Sequence, residues 1–304
     1  MTSASASEPA DRPFAGILLM LGFCFLAPLG DSMAKLLGPL IPLGMLLLVR
    51  FAIQPLVLIP VLASTGGTLR MSRRALTLTA LRTGLHIVGI GAMFTSLNYL
   101  PLADAVAIAF VMPFIMLLLG HLVLGEHVGQ FRLVACAIGF VGTLLVVQPN
   151  FAEVGAPALL PLVVAVVFAL FMLVTRAMAK EVDAIAMQAV SGLMATALLL
   201  PVMLIGPEWE SLSWVRPKGT AWLFLAALGL LGTVAHLMMT WALRFAPSAT
   251  LAPMQYLEIP VSTVIGWLIF SDLPNGLAAL GIFVTIAAGL AIVFRERALS
   301  QVPA

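Results

Sequence analysis

Apolar segments about twenty residues long recur ten times along this chain, and they constrain its fold more than any other feature. A helix needs about 20 apolar residues to cross the hydrocarbon core of a bilayer. Of the 304 residues, 62% are hydrophobic and 9% are charged, whereas soluble domains carry about 25% charged residues. Such a composition cannot cover a water-facing surface. We therefore predict an all-α integral membrane protein with ten transmembrane helices.

The predicted spans are separated by short connections that leave no room for a soluble domain. They cover about residues 14–36, 41–63, 75–98, 102–123, 131–148, 157–178, 185–205, 220–243, 248–270 and 276–294. Residues 1–13 are small and polar, which predicts a disordered N-terminal tail, and residues 295–304 form a C-terminal tail. The two cysteines, Cys24 and Cys136, lie in apolar segments and are interpreted as core residues.

The basic residues predict the orientation of the spans. With both termini in the cytoplasm, ten lysines and arginines lie near inner span ends and three near outer ends, which follows the positive-inside rule. The outer set is Lys35, Arg216 and Lys218, and the inner set is Arg12, Arg70, Arg73, Arg74, Arg132, Arg176, Lys180, Arg244, Arg295 and Arg297. We predict a multi-pass protein of a bacterial inner membrane with both termini cytoplasmic.

The two halves of the chain resemble each other. A shift of 147 residues aligns Pro113 with Pro260, Gly142 with Gly289 and Phe94 with Trp241. Each half, residues 14–148 and 157–294, holds five predicted spans, so the second half enters the membrane in the opposite direction. This pattern predicts two inverted five-helix repeats, an architecture of alternating-access transporters. Chance similarity between apolar helices is the alternative.

Two prolines, Pro113 and Pro260, fall in the middle of the fourth span of each half. Proline removes a backbone hydrogen bond and kinks or loosens a helix. We predict that both positions are hinges of the transport cycle. A static kink that only shapes the packing is the other interpretation.

Several short motifs in the first half resemble a known family. They are Leu48-Val49-Arg50-Phe51, Arg82 early in helix 3, Leu100-Pro101-Leu102-Ala103-Asp104-Ala105, Leu124-Gly125-Glu126 and Gly139-Phe140-Val141-Gly142. Together with ten spans in two repeats, they resemble the EamA-type branch of the drug/metabolite transporter superfamily. Members export amino acids or carry metabolites such as riboflavin and S-adenosylmethionine. The second half departs from the pattern, because Asp272-Leu273 stands where Gly125-Glu126 stands in the first half.

Glu258 is an isolated charge in the apolar segment 251–270. An ionisable group inside a span usually marks a pathway or a binding site. At 1.5 Å per residue, Glu258 and Arg82 each lie about 10–15 Å from the cytoplasmic side, and Arg50 lies near the middle of helix 2. We therefore predict that Glu258 pairs with Arg82 or Arg50 near the midplane. A purely structural pair is the alternative.

Further polar and aromatic side chains extend this prediction. Arg82 and His86 share a face of helix 3 at i, i+4, and Gln255 lies one turn before Glu258. The family resemblance implies that the third and fourth helices of each half line a central cavity. The candidate substrate-binding residues are Glu258, Arg82, His86, Arg50, Gln255, His236, Trp241, Phe94 and Tyr99. Packing roles for the histidines, and an interfacial role for Tyr99, stay open.

A second charged pair is predicted near the outer surface. Asp31 and Lys35 are spaced at i, i+4 on helix 1, which favours a local salt bridge or an outer gate.

These features favour a secondary transporter of small organic metabolites, with amino-acid export as the leading hypothesis. An amino acid offers a carboxylate to Arg82 or Arg50 and an ammonium group to Glu258, unless Glu258 carries a proton instead. The alternative is an importer of a larger metabolite such as riboflavin or S-adenosylmethionine. A passive channel and an intramembrane enzyme are less favoured, and the chain has neither an HExxH nor a GxSxG motif. We expect no cofactor, metal or nucleic acid, and either a monomer or a homodimer.

Overall fold

The computed structural model describes residues 13–112, 114–115, 119, 130–246, 251 and 254–300. Ten α-helices lie within these residues. Their bounds are α1 Pro13–Leu37, α2 Leu43–Ser64, α3 Arg73–Ser96, α4 Leu102–Ala109, α5 Gln130–Val154, α6 Leu160–Met178, α7 Ala184–Ile205, α8 Ala221–Phe245, α9 Glu258–Phe270 and α10 Gly276–Ser300. Short 3-10 turns precede α6 and α8, at Ala156–Leu159 and Glu210–Leu212.

The helices confirm the all-α class, and the described residues contain no β-strand. Seven of the helices, α1 to α3 and α5 to α8, are long and apolar enough to cross a membrane. The apolar part of α10 (Gly276–Ala291) and α9 are shorter, and α4 has eight residues. The count of ten spans and the inverted orientation of the second half therefore stay predictions.

Helices α3 and α7 each begin with a side chain that caps the first amides of the helix. The side chain of Ser72 accepts a hydrogen bond from the Ala75 amide at 3.1 Å at the start of α3. Asp183 accepts from the Ile185 and Ala186 amides, both at 3.0 Å, at the start of α7. Such caps satisfy amides that have no partner within the helix. Both lie in connections predicted to face the cytoplasm.

The helices pack in pairs that join the two halves of the chain. Helix α1 packs against α8, α3 against α6, α2 against α7, α4 against α9 and α5 against α10. Each helix of the first half is equivalent to the helix five places later in the chain. The pairing respects this equivalence: α1 packs against α8 as α6 packs against α3, and the pairs α2–α7, α4–α9 and α5–α10 each join two equivalent helices. The core is therefore built between the halves, and a cavity in the centre is lined by both.

The fourth helix of each half is interrupted about one turn before its proline. Helix α4 ends at Ala109, four residues before Pro113, and α9 begins only after a turn at Tyr256, four residues before Pro260. Proline cannot donate to the carbonyl four residues earlier, and its ring clashes with that carbonyl. The predicted spans 102–123 and 248–270 are interrupted at these points, where the prolines were expected to kink or loosen them. Pro113 itself lies outside the described residues, and the hinge role stays a prediction.

Candidate functional site

A cavity lies between the two halves and is lined by residues from α1, α2, α3, α4, α6, α8 and α9. We call it the central cavity; its ionisable or polar lining residues are Asp31, Arg50, His236, Gln255 and Glu258. The other lining residues are apolar or small: Phe23, Leu26, Ala27, Gly30, Gly89, Ile90, Met93, Phe94, Val106, Ala109, Phe110, Met112, Val164, Ala165, Phe168, Leu228, Gly232 and Ala235. Mostly apolar and aromatic walls with a few convergent polar groups are typical of a site for a small organic ligand.

Arg50 contributes the only guanidinium among the described lining residues. It is 2% exposed, and its Nη2 donates to His236 Nδ1 at 3.0 Å and to the Gly232 carbonyl at 3.4 Å. Its Nη1 has no hydrogen-bond partner among the described residues. A Cβ added at Gly232 would collide with the guanidinium, so glycine is needed there for this close approach. Nη1 of Arg50 is thus a buried donor group without a protein partner, close to Gly232.

The contact with Arg50 fixes the protonation of His236. A guanidinium has donors only, so Nδ1 of His236 must accept, and the ring is neutral with its proton on Nε2. The same Nδ1 cannot also donate to the Gly232 carbonyl, which lies 3.1 Å away. Nε2 of His236 has no hydrogen-bond partner among the described residues. His236, a lining residue, therefore carries a second buried N–H donor without a partner next to Arg50.

His86 lies behind this wall and not in it. Its ring centroid is 4.4 Å from that of His236, and it also contacts the rings of Phe51 and Phe171, with centroids 5.0 and 4.7 Å away. It is not among the cavity-lining residues. In this arrangement His86 supports the position of the His236 ring.

Arg82 is held entirely by neutral groups of the second half. Its three guanidinium nitrogens donate to Thr175 at 2.8 Å, Ser191 at 2.9 Å and Gln188 at 2.7 Å. Its guanidinium also lies 4.4 Å from the centroid of the Phe171 ring. The side chain is fully buried and does not line the cavity.

The predicted ion pair between Arg82 and Glu258 is not formed, and neither is one between Arg50 and Glu258, since no salt bridge joins these described side chains. The cavity meets α3 at Gly89 and Met93, and Arg82 lies seven residues before Gly89. Seven residues of helix are about 10 Å. Arg82 is therefore displaced from the cavity along the helix axis. The depth estimated from the number of residues along each span was too coarse to show this displacement.

Glu258 and Asp31 bring two carboxylates to the central cavity from opposite halves. Glu258 lies in the first turn of α9, where the helix dipole favours a negative charge. Neither carboxylate forms a salt bridge with another side chain in the described part of the chain. Asp31 is close enough to both Arg50 and Glu258 to interact with them electrostatically.

Asp31 was missed as a cavity residue because its spacing to Lys35 suggested a local pair. That pair is not formed. Lys35 instead bonds to Asp272 at 3.0 Å and to the Leu100 carbonyl at 2.9 Å, and it lies 4.9 Å from the centroid of the Phe270 ring. Lys35 therefore ties the end of α1 to the end of α9. The available signal was the stripe Phe23, Ala27, Gly30 and Asp31, which follows one face of α1.

Phe94 and Gln255 line the central cavity as the sequence suggested, whereas Trp241 and Tyr99 lie away from it. Trp241 packs beside a cluster that contains Leu58, and Tyr99 is 51% exposed at the end of α3. The aromatic wall comes from Phe94 with Phe23, Phe110 and Phe168, and the last three are not among the candidates from the sequence. Their functional roles stay predictions.

The described residues contain no group of three or more His, Cys, Asp or Glu side chains arranged to hold a metal ion.

Comparison with known proteins identifies the family to which this chain belongs. The EamA-like transporter family matches twice, at residues 14–148 and 156–295. The chain belongs to the EamA-like transporter family. It is a multi-pass membrane protein of metabolite transporter type, and its family and relatives point to a transporter and not an enzyme.

Relatives from this family carry different cargoes by name. A riboflavin transporter of Rhizobium johnstonii is 32% identical over 73% of this chain and 72% of its own length. An S-adenosylmethionine uptake transporter of Rickettsia felis is 26% identical over 88% of each chain. A pseudopaline exporter of Pseudomonas aeruginosa is 24% identical over 94% of this chain and 96% of its own. Both uptake and export therefore occur among the relatives.

A protein of known crystal structure is 20% identical to this chain. The structural match covers 95% of this chain and 97% of that protein's chain, with a TM-score of 0.65. At this identity the likeness supports the fold alone.

Proposed function

We propose that this EamA protein is an alternating-access secondary transporter for a small organic metabolite that carries a carboxylate and a cationic group. One observation carries the proposal: Arg50 and Glu258 line the same cavity from different helices and form no salt bridge with each other. An unpaired charge within the membrane is costly, so a ligand that pairs with both groups is strongly favoured. The guanidinium of Arg50 would bind the carboxylate, and Glu258 the cationic group.

Amino acids are the first candidates, because every free amino acid carries both groups on one carbon. We propose export as the direction for amino acids, which is the direction named for the pseudopaline exporter among the relatives. Arg50, and not Arg82, is the proposed carboxylate ligand, since all three guanidinium nitrogens of Arg82 already bond to protein side chains.

Uptake of a larger metabolite is the second candidate, and two relatives named for riboflavin and S-adenosylmethionine uptake favour it. S-adenosylmethionine contains an amino-acid moiety and would use the same charged groups. Riboflavin has no permanently charged group, so it would leave Arg50 and Glu258 without ionic partners.

A proton is an alternative occupant of Glu258. A protonated Glu258 needs no cation and would couple transport to a proton gradient, whereas an ionised one binds an ammonium group. Substrate flux into proteoliposomes with an imposed pH gradient separates these roles, because only the proton-coupled carrier would concentrate its substrate.

The predicted orientation belongs to the same proposal: an inner-membrane location, cytoplasmic termini and hinges at Pro113 and Pro260. Reporter domains that are active on only one side of the membrane, fused to each end, test the orientation. Both fusions should be active with a cytoplasmic reporter, and activity at one end alone would contradict an even number of spans.

A thermal-shift screen of the purified protein identifies the ligand class, since a ligand that binds the native state raises its stability. The screen should include amino acids, S-adenosylmethionine and riboflavin. A hit is then tested for saturable counterflow in proteoliposomes, which a carrier shows and a passive channel does not. Glu181→Gln is the matched control for Glu258→Gln, because Glu181 forms an exposed pair with Arg74 far from the cavity. Unchanged ligand shifts in Glu258→Gln and Arg50→Lys would contradict the proposal.

A further inference from the structure

The charges of the central cavity do not balance. Two carboxylates, Asp31 and Glu258, face one guanidinium, Arg50, so the ionised lining carries one excess negative charge. The neighbouring His236 adds no positive charge, because its contact with Arg50 requires a neutral ring. Arg82 lies outside the lining and bonds to neutral groups. The excess therefore has no counterpart among the described lining residues.

The two carboxylates also interact with each other. Asp31 is the like-charged neighbour of Glu258 and, at the same time, the oppositely charged neighbour of Arg50. Arg50 can offset one of them only. Two negative charges that share a poorly solvated space repel strongly, and a cation between them removes that cost.

The walls favour an organic cation over a small hydrated ion. Phe23, Phe94, Phe110 and Phe168 line the same space, and aromatic faces attract organic cations such as substituted ammonium or sulfonium groups. Arg50 Nη1 and His236 Nε2 belong to lining residues and lack partners among the described residues. Both atoms are buried in this conformation, so a hydrogen-bond acceptor on the ligand reaches them only if the wall moves.

We infer that the central cavity selects organic metabolites with one net positive charge: a carboxylate bound by Arg50, and two cationic centres held by Asp31 and Glu258. This rests on the proposed function, since it takes the cavity as the substrate site. The inference goes further in two ways. It makes Asp31 a specificity-determining residue, and it states that the cavity prefers dibasic or sulfonium amino acids over amino acids with no net charge.

Matched ligand pairs test this charge rule on the wild-type protein. S-adenosylmethionine and S-adenosylhomocysteine differ by one methyl group and one positive charge, and arginine and citrulline have nearly the same shape but differ by one charge. Binding is measured calorimetrically on purified protein. In at least one pair the cationic member should bind at least about tenfold more tightly than its neutral-side-chain partner.

The variant Asp31→Asn removes one carboxylate without changing the shape of the side chain. It should reduce the preference within the pair to about threefold or less, while Glu181→Gln keeps the wild-type ratio. The wild-type comparison stands on its own if the variant does not fold.

Equal binding within both pairs, or tighter binding of the uncharged partners, would overturn the inference and leave the proposed transporter function intact. Binding of riboflavin alone would overturn the inference and also the proposal of a substrate with a carboxylate and a cationic group, and it would favour uptake of a larger metabolite instead. If neither these five ligands nor the amino acids of the thermal-shift screen bind, and none is exchanged in counterflow, both the inference and the proposed function fail. An unchanged ratio in folded Asp31→Asn would remove Asp31 from the specificity site.

Discussion

Two buried arginines in neighbouring helices differ in how completely their guanidinium groups are hydrogen-bonded by the protein. Arg82 donates from all three guanidinium nitrogens to side chains of the second half, whereas Arg50 retains an unpaired Nη1 at the cavity. A guanidinium saturated by hydroxyl and amide oxygens has little capacity left for a ligand. We therefore assign Arg82 to positioning α3 against α6 and α7, and Arg50 to the substrate.

Replacing Arg82 should mainly reduce stability. Arg82→Gln removes the guanidinium hydrogen bonds to Thr175 and Ser191, at a cost of about 2 kcal/mol in the free energy of unfolding, although each hydroxyl keeps a second partner. Thermal unfolding in detergent measures the loss, and ligand affinity of the folded fraction should be unchanged. Arg50→Lys should show the reverse pattern, with weaker binding at near-normal stability. A large loss of affinity in folded Arg82→Gln would contradict this assignment.

Gly232 tests the geometry around Arg50. In Gly232→Ala the new methyl group overlaps the guanidinium, so Arg50 must move and ligand binding should weaken about tenfold or more. Gly84→Ala is the matched control, because a Cβ there meets nothing within 4 Å on the outer face of α3. Equal affinities in the two variants, measured by calorimetry, would show that the close approach of Arg50 to α8 is not important for binding.

At the scale of the elements, the fourth helix of each half is interrupted, and the break in the second half places Glu258 at a helix N-terminus. Both breaks occur four residues before a proline, and the second one makes Glu258 the first residue of α9. A carboxylate in that turn meets unpaired amides and the positive end of the helix dipole. The prolines and their equivalence were visible in the sequence. A kink or loosening at each proline was also predicted, but the residues at which the helices end were not, because hydropathy continues through them.

Restoring the helix at the second break should impair transport without unfolding the protein. Pro260→Ala supplies an amide that can bond to the Tyr256 carbonyl, which favours a continuous helix through Leu257 and removes the free N-terminus at Glu258. We expect a several-fold lower exchange rate at equal or higher thermal stability. Pro201→Ala is the control, since Pro201 lies within the uninterrupted α7 and faces outward. Wild-type exchange in Pro260→Ala would exclude the break from the mechanism.

The ion pair between Lys35 and Asp272 joins α1 of the first half to the end of α9. The side chains retain 17% and 38% exposure, so we expect a coupling of only about 0.5–1 kcal/mol in a double-mutant cycle of Lys35→Met and Asp272→Asn. Thermal unfolding of the single and double variants measures it. A coupling near zero would mean that this contact does not hold the two helices together.

At the scale of the whole molecule, helix pairing crosses between the halves, so the substrate site belongs to neither half alone. Asp31 and Arg50 come from the first half, and His236 and Glu258 from the second. A rearrangement of one half against the other would change the distances among these groups. That property is what an alternating-access carrier requires.

Hydropathy, charge placement and the internal shift predicted the all-helical membrane class, the family and four polar cavity residues: Arg50, His236, Gln255 and Glu258. They could not predict which face of each helix turns inward or how far the cavity extends along it. Arg82 and His86 share a stripe with Gly89, yet the cavity begins at Gly89. Asp31 was assigned to Lys35 because local spacing is visible in a sequence, whereas the contact of Lys35 with Asp272 spans 237 residues.

The most direct test of the account is counterflow in proteoliposomes by Glu258→Gln beside Glu181→Gln, with the ligand that gives the largest thermal shift. The substitution at Glu258 removes one cavity charge and keeps the side-chain shape, whereas the same change at Glu181 affects only an exposed pair. We predict that exchange is abolished in folded Glu258→Gln and normal in Glu181→Gln. Wild-type exchange in Glu258→Gln would contradict the assignment of Glu258 to the substrate or to a coupled proton.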